Sequence, residues 1–178
     1  MASKIKVDTL ETANGSGTIA LSNQFSGMAA SSVPLLTATQ MPAGSVLQVI
    51  QGVYSTYGNT NSSSYVDSGL TGAITPSSTS SKVLVTVSIS MGNTSAATNN
   101  NIQIVRGSSV VYTSSRVAFN GAGHSNMQLS FVYLDSPSTT SATTYKLQMK
   151  TDGGYFRVND TGAGGTGTST ITLTEIKG

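Results

Sequence analysis

The segment Lys82–Met91 alternates more cleanly than any other part of the chain. Val83, Val85, Val87, Ile89 and Met91 take every second position, and Thr86, Ser88 and Ser90 stand between them. A β-strand turns successive side chains to opposite faces, so this period of two describes a strand with one face on a core. The same pattern returns in Met127, Leu129, Phe131 and Tyr133, and again in Tyr145, Leu147 and Met149. It closes the chain, where Ile171 and Leu173 alternate with Thr170, Thr172 and Thr174. Ile102–Val105 and Val110–Tyr112 flank Arg106-Gly107-Ser108-Ser109 and predict a hairpin. About eight strands follow from this reading, which suits an all-β, antiparallel β-sandwich of jelly-roll-like type.

Two runs are apolar on both faces. Val46–Tyr54 sets Val46, Ile50 and Tyr54 on one face and Leu47, Val49 and Val53 on the other. Phe131-Val132-Tyr133-Leu134 is likewise apolar throughout. In a small antiparallel sandwich only one face of a strand reaches the core, so the second face is expected to meet another subunit.

The composition agrees with a β-fold and narrows the partners. Charged residues make up 9% of the chain, against roughly 25% in ordinary soluble proteins. Serine and threonine fill close to three positions in ten, with 19 glycines beside them. Disorder usually combines low hydrophobicity with high net charge, whereas here 37% of residues are hydrophobic and the net charge is +2. The lysines and arginines are scattered rather than gathered on one stretch, which argues against nucleic acid. With no cysteine, disulfides and thiolate metal sites are excluded. No apolar stretch approaches the roughly 20 residues of a membrane-spanning helix. Met1-Ala2-Ser3-Lys4 turns polar at once, unlike a secretory signal. The expectation is a protein made in a cytoplasm, without membrane insertion.

Three zones organise the chain. Residues 1–25 hold two short alternating runs around Asn14-Gly15-Ser16-Gly17, which is turn chemistry. Their apolar residues, Ile5, Val7, Leu10, Ile19, Leu21 and Phe25, are too few to make a core in one copy, so this zone is read as a stem or anchor. Residues 26–45, with Pro34 and Pro42, read as a linker in which Pro34 could start a helical turn. Residues 46–178 form the β-sandwich.

Catalytic and metal chemistry finds no footing. His124 is the only histidine and sits in Gly121-Ala122-Gly123-His124-Ser125, a loop; an exposed histidine is expected there, with a pH-responsive contact as the alternative. No strand–turn–helix Gly-x-Ser-x-Gly elbow is present. Gly162-Ala163-Gly164-Gly165-Thr166-Gly167 lacks the lysine and helix that a phosphate loop needs, and reads as an inter-strand loop. Asp67, Asp135, Asp152 and Asp160 come singly, whereas glycosidases hold two carboxylates within roughly 5–10 Å. A loop calcium site is the one metal alternative. No catalytic residue, metal ligand or cofactor is assigned.

Ser3-Lys4-Ile5-Lys6-Val7-Asp8-Thr9-Leu10-Glu11-Thr12, with Asn14-Gly15-Ser16-Gly17-Thr18-Ile19-Ala20-Leu21 after it, resembles the N-terminal segments of tail-fibre and related virion proteins of tailed phages, those of cyanophages in particular. Tyr65–Leu70 and Ile74–Val85 are similar to the distal β-domain of the same group. The resemblance implies a virion component and a homotrimer, assembled in a bacterial host cytoplasm and bound to other tail or capsid proteins. Three copies of the N-terminal apolar set about a three-fold axis could close the core that one copy lacks. The leading functional reading is a fibre or spike subunit with an outward sandwich that contacts a host glycan or protein. A capsid decoration protein is the second reading and a carbohydrate-binding module the third. Lectin-like sites combine aromatics with Asn, Asp and Arg, which Tyr54, Tyr57, Asn59, Tyr155, Phe156 and Arg157 could supply. The candidate receptor contacts are Tyr57, Asn59, His124, Tyr155 and Arg157.

Overall fold

The computed structural model describes residues 37–95, 99–114, 117, 125–160 and 167–178. The chain divides into two compact units, Met1–Leu36 and Thr37–Gly178, and the described residues all belong to the second. The expected stem residues Ile5, Val7, Leu10, Ile19, Leu21 and Phe25 lie outside them, as do His124 and residues 162–166 of the glycine-rich stretch.

The alternating segments become strands. In chain order they are β1 (Val46–Tyr54), β2 (Gly58–Thr60), β3 (Val66–Ile74), β4 (Lys82–Asn93) and β5 (Asn100–Arg106). The second half adds β6 (Ser109–Thr113), β7 (Ser125–Asp135), β8 (Thr143–Thr151), β9 (Phe156–Val158) and β10 (Ser169–Ile176). Every pairing between them is antiparallel. The first sheet runs β1-β10-β4-β9-β2, with β7 also paired to β4; the second runs β3-β8-β5-β6. β4 is the central strand of the first sheet. One of its edges takes β10 over Lys82–Ser88 and then β9 over Met91–Asn93, while the other takes β7 along its whole length.

The core lies between the sheets and is built by the period of two. Val83, Val85, Val87, Ile89 and Met91 of β4 and Ile171 and Leu173 of β10 are fully buried against Ile102, Ile104, Tyr145 and Leu147 of the second sheet. Burying a Val, Leu or Ile side chain contributes about 1.5–3 kcal/mol, so this contiguous set dominates the stability of the unit.

Glycines and aromatics close the two open sides of the sandwich. On one side β1 meets β3 so closely that a Cβ at Gly52 would stand 2.0 Å from the Thr71 carbonyl oxygen. Beside it the Tyr54 ring lies on Gly69, whose φ of 93° favours glycine. On the other side Tyr112 of β6 stacks on Phe131 of β7 with centroids 5.2 Å apart, and leans on Tyr133 at 5.5 Å.

Two expectations change. A bulge in the β1 ladder between Val46 and Gln48 shifts Val46 out of step with Ile50 and Tyr54. Val46 is consequently exposed, so those three side chains do not share one inward face. The stretch read as a linker is also partly structured. Gly44 N donates to Lys177 O at 2.7 Å and Lys177 N to Ser45 O at 2.9 Å, which ties residues 37–45 to the end of β10. Two turns, closed by Gln40 N to Thr37 O and Ser45 N to Pro42 O, occupy this segment. Among the described residues no helix is long and apolar enough to cross a membrane.

Candidate functional site

The outer surface of the first sheet has two distinct halves. In the first, register fixes three rows across four strands. Val49, Thr174, Leu84 and Leu134 form one; Gln51, Thr172, Thr86 and Val132 the next; Val53, Thr170, Ser88 and Ser130 the third. None of the twelve side chains carries a charge. Val49, Val53, Val132 and Leu134 are 51–60% exposed, a large value for aliphatic residues on a flat surface. Lys82 marks the end of this area and turns its ammonium to Ser136 Oγ at 2.8 Å. The opposite sheet presents a different surface. Lys146 pairs with Asp67 at 2.9 Å, and Lys150 lies over the Tyr65 ring at 4.8 Å.

The second half is the β2–β9 end. Asn59 of β2 is directly opposite Arg157 of β9, and Arg157 is opposite Gly92 of β4, which has no side chain to cover it. Asn59 Nδ2 donates to Tyr57 Oη at 3.0 Å. Arg157 Nη1 donates to Asp160 Oδ2 at 2.6 Å, an ion pair that is mostly buried. Tyr155, one residue before β9, and Asn61, one residue after β2, line the same open groove of about 390 Å³ with Ser63, Thr151 and Asp152. Tyr57 is 42% and Tyr155 46% exposed. Four of the five candidate contacts, Tyr57, Asn59, Tyr155 and Arg157, therefore share one surface. Phe156 and Tyr54, also weighed as sugar-stacking rings, do not join them: Phe156 is fully buried and Tyr54 packs on the core.

This surface rests on a buried asparagine that the sequence reading did not single out. Asn159 adopts φ 59°, a left-handed conformation that asparagine tolerates better than most residues. Its Nδ2 donates to the carbonyls of Tyr54 at 2.8 Å and Thr56 at 3.0 Å, and its Oδ1 accepts from Ser169 Oγ at 2.6 Å. Asn159 thus pins the loop that carries Tyr57 to the end of β9. Asn159-Asp160-Thr161 matches a glycosylation pattern, but this side chain is fully buried.

The carboxylates that come singly in the sequence each find fixed partners. Asp67 accepts from Lys146 and Gln148, Asp152 from Asn99, and Asp160 from Arg157. Asp135 accepts from both Arg106 Nη1 and Tyr145 Oη at 2.7 Å. Glu175, fully buried, accepts from Gln48 Nε2 at 2.6 Å and from Ser77 N and Oγ at 2.7 Å. Burial opposes its charge, yet these bonds, led by that from Gln48, hold the carboxyl below the usual glutamate range. Among the described residues no three His, Asp or Glu side chains gather as a metal-binding group.

No protein-family model matches the chain, and no curated protein matches it. Among solved structures it is similar to infectious bursal disease virus, Gt strain, at TM-score 0.40 and 14% identity, over 76% of this chain and 39% of that one. The Gx strain of the same virus aligns at TM-score 0.40 and 12% identity, over 74% and 38%. Dimeric latent PorU from Porphyromonas gingivalis aligns at TM-score 0.37 and 10% identity, over 76% of this chain and 14% of that one. The chain thus spans less than two fifths of each of these chains. Likenesses of this strength assign neither a family nor a function.

Proposed function

We propose that this chain is a non-catalytic structural subunit of a tailed-phage virion, a fibre or spike protein that works as a homotrimer. The observation that carries the reading is the uncharged, aliphatic-and-threonine surface formed by β1, β10, β4 and β7. A sheet face open to water normally shows polar and charged side chains. Here the exposed Val49 and Val53 of β1 and Val132 and Leu134 of β7 flank uncharged threonines and serines, and exposed aliphatic side chains gathered on one face suit cover by another protein. A second copy of the chain suits it, because two uncharged surfaces meet without like-charge repulsion or stranded ions. Around a three-fold axis the contact is heterologous, different parts of this surface meeting from one copy to the next, and the trimer is the ring that the resemblance of residues 3–21 to tailed-phage virion proteins implies.

Strand order supports a jelly-roll layout within the same reading. With the short β2 and β9 set aside, the remaining strands run first-eighth-third-sixth in one sheet and second-seventh-fourth-fifth in the other. That order arises when two Greek keys are wound into one sandwich.

Native mass spectrometry of the full chain, with light scattering at micromolar concentration, tests the assembly. A trimer is expected, and the double variant Val132→Lys, Leu134→Lys is expected to lower the mass to that of the single chain. A wild-type protein that is monomeric under these conditions overturns the reading.

A further inference from the structure

We propose that the outer face of the β2–β9 pair, with the groove at its end, binds a short uncharged oligosaccharide. The inference does not depend on self-association, which concerns the other half of the same sheet.

Register is the first support. Antiparallel pairing of Gly58–Thr60 with Phe156–Val158 brings two stretches about a hundred residues apart in the chain onto one ribbon. Tyr57 precedes β2 and Tyr155 precedes β9, so the two rings stand at opposite ends of it. Four residues at roughly 3.3 Å each place them about 13 Å apart along the strands. That span fits a chain of sugar rings better than a single one.

The chemistry of the side chains is the second. Tyr145 and Phe156 are fully buried, and Tyr54, Tyr112, Phe131 and Tyr133 pack on the core, whereas Tyr57 and Tyr155 leave more than two fifths of their surface in water. An exposed tyrosine offers a flat apolar face, which matches the C–H face of a pyranose ring, together with a hydroxyl for hydrogen bonding. Asn59 stands on the ribbon between the rings, and Asn61 and Asp152 line the groove beside Tyr155, amide and carboxylate groups that match sugar hydroxyls.

Preorganisation is the third. Asn59 is held on Tyr57, Arg157 on Asp160, and Asp152 receives the Asn99 backbone and side chain. Asn159 anchors the loop beneath Tyr57. Groups fixed before binding lose little freedom when a ligand arrives, which a weakly gripping, hydroxyl-rich ligand needs.

The charge balance selects the ligand class. Asp160 neutralises Arg157, and Asp152 adds a negative charge beside Tyr155. The described residues that line the groove include no lysine or arginine, and an acidic sugar there would face the Asp152 carboxylate, so an uncharged ligand is favoured.

The test uses the full chain on an array of neutral hexose and N-acetylhexosamine oligosaccharides, with sialylated and sulfated counterparts as the acidic arm. The strongest neutral ligand is then titrated by calorimetry against wild type, Tyr57→Ala and Tyr155→Ala. Binding of neutral oligosaccharides is expected, and each variant should lose about tenfold or more in affinity, as truncation of an aromatic anchor does. Melting temperature and native mass should stay at wild-type values, which separates loss of the site from loss of the fold or of the assembly. The proposal fails if no neutral oligosaccharide binds, if only the acidic arm binds, or if both variants keep wild-type affinity.

Discussion

Tyr145 Oη donates a 2.7 Å hydrogen bond to Asp135 Oδ2, which joins β8 of one sheet to the end of β7 in the other. The same carboxylate oxygen accepts from Arg106 Nη1 at 2.7 Å, so one acceptor gathers a phenol and a guanidinium from two neighbouring strands of the second sheet. Hydrogen bonds to charged groups in low-dielectric surroundings are among the stronger ones, and each is costly to break from one side only.

Tyr145→Phe is therefore expected to lower unfolding free energy by about 1–3 kcal/mol. Asp135→Ala should cost more, because it strands the buried phenol and leaves Arg106 without its anion. Burial first, and the Asp135 carboxylate second, push the Tyr145 phenol well above its ordinary range. The unfolded chain loses that proton at lower pH than the folded one, so this contribution to stability falls as pH rises past the ordinary phenol range. Tyr145→Phe should flatten the alkaline limb. Urea unfolding across pH is the measurement, and a variant indistinguishable from wild type at every pH would show the bond to be energetically silent.

Val87 and Thr86 are adjacent in β4 but face opposite ways, and Val87 has no exposure at all. Val87→Asp puts an unpartnered carboxyl into the core at a cost of several kcal/mol, comparable with the roughly 5–15 kcal/mol that holds a typical domain together. Thr86→Asp should change subunit stability by less than about 1 kcal/mol. It stands between Thr172 and Val132 on the uncharged surface, so it should instead weaken assembly. Thermal melts and sizing of both variants distinguish the effects. Equal, small changes from the two would contradict the half-buried placement of β4.

Glu175 predicts acid behaviour. Its carboxyl is held below the usual glutamate range in the fold, so the unfolded state binds its proton first as pH falls. Stability from this group is fully present above the ordinary carboxyl range and is lost as pH drops through the lower folded value. Glu175→Gln should be less stable than wild type at neutral pH, since an amide cannot accept at both oxygen positions, and its stability should fall less on acidification. Chemical denaturation between neutral pH and the acid limb reads both slopes. A variant with the wild-type acid slope rules out this origin.

Asn159→Ala removes the donor to two carbonyls and the acceptor for Ser169 Oγ. Each buried polar group left unpaired costs roughly 1–3 kcal/mol. The loss should appear as global destabilisation, together with faster amide exchange in the segment from Tyr54 to Thr60. Protection in that segment equal to wild type would mean that Asn159 does not pin the loop.

How far the sequence speaks for this protein differs from strand to strand. In β4, β8 and β10 the alternation names the buried apolar side chains correctly, from Val83 to Leu173, and in β7 it names those half-buried against the core. In β3 it does not, because Ser68 and Gly72 take two of the inward positions and break the apolar rhythm. At Gly72 a Cβ would stand 3.2 Å from Ile171 and 3.3 Å from Leu173, a close approach set by the opposite sheet and not by the local sequence. β2 and β9 are three residues each, too short to show any period.

The candidate surfaces divide in the same way. The residue types at Tyr57, Asn59, Tyr155 and Arg157 can be picked out from sequence, but their meeting cannot, since it depends on β2 pairing with β9. The second apolar face of β7 is visible in Val132 and Leu134, whereas its continuation through Thr86, Thr172 and Val49 exists only once β4, β10 and β1 are laid side by side. Glu175 shows the limit most plainly: the period of two points it inward with Ile171 and Leu173, yet only Gln48 and Ser77, arriving from β1 and the segment after β3, make a buried carboxylate tolerable. The pleat is a property of one strand and is written in consecutive residues, so the sequence by itself determines which side chains share a face. Which strand lies beside which is decided by the winding of the whole chain, and the surfaces and the buried polar bonds come into being only with it.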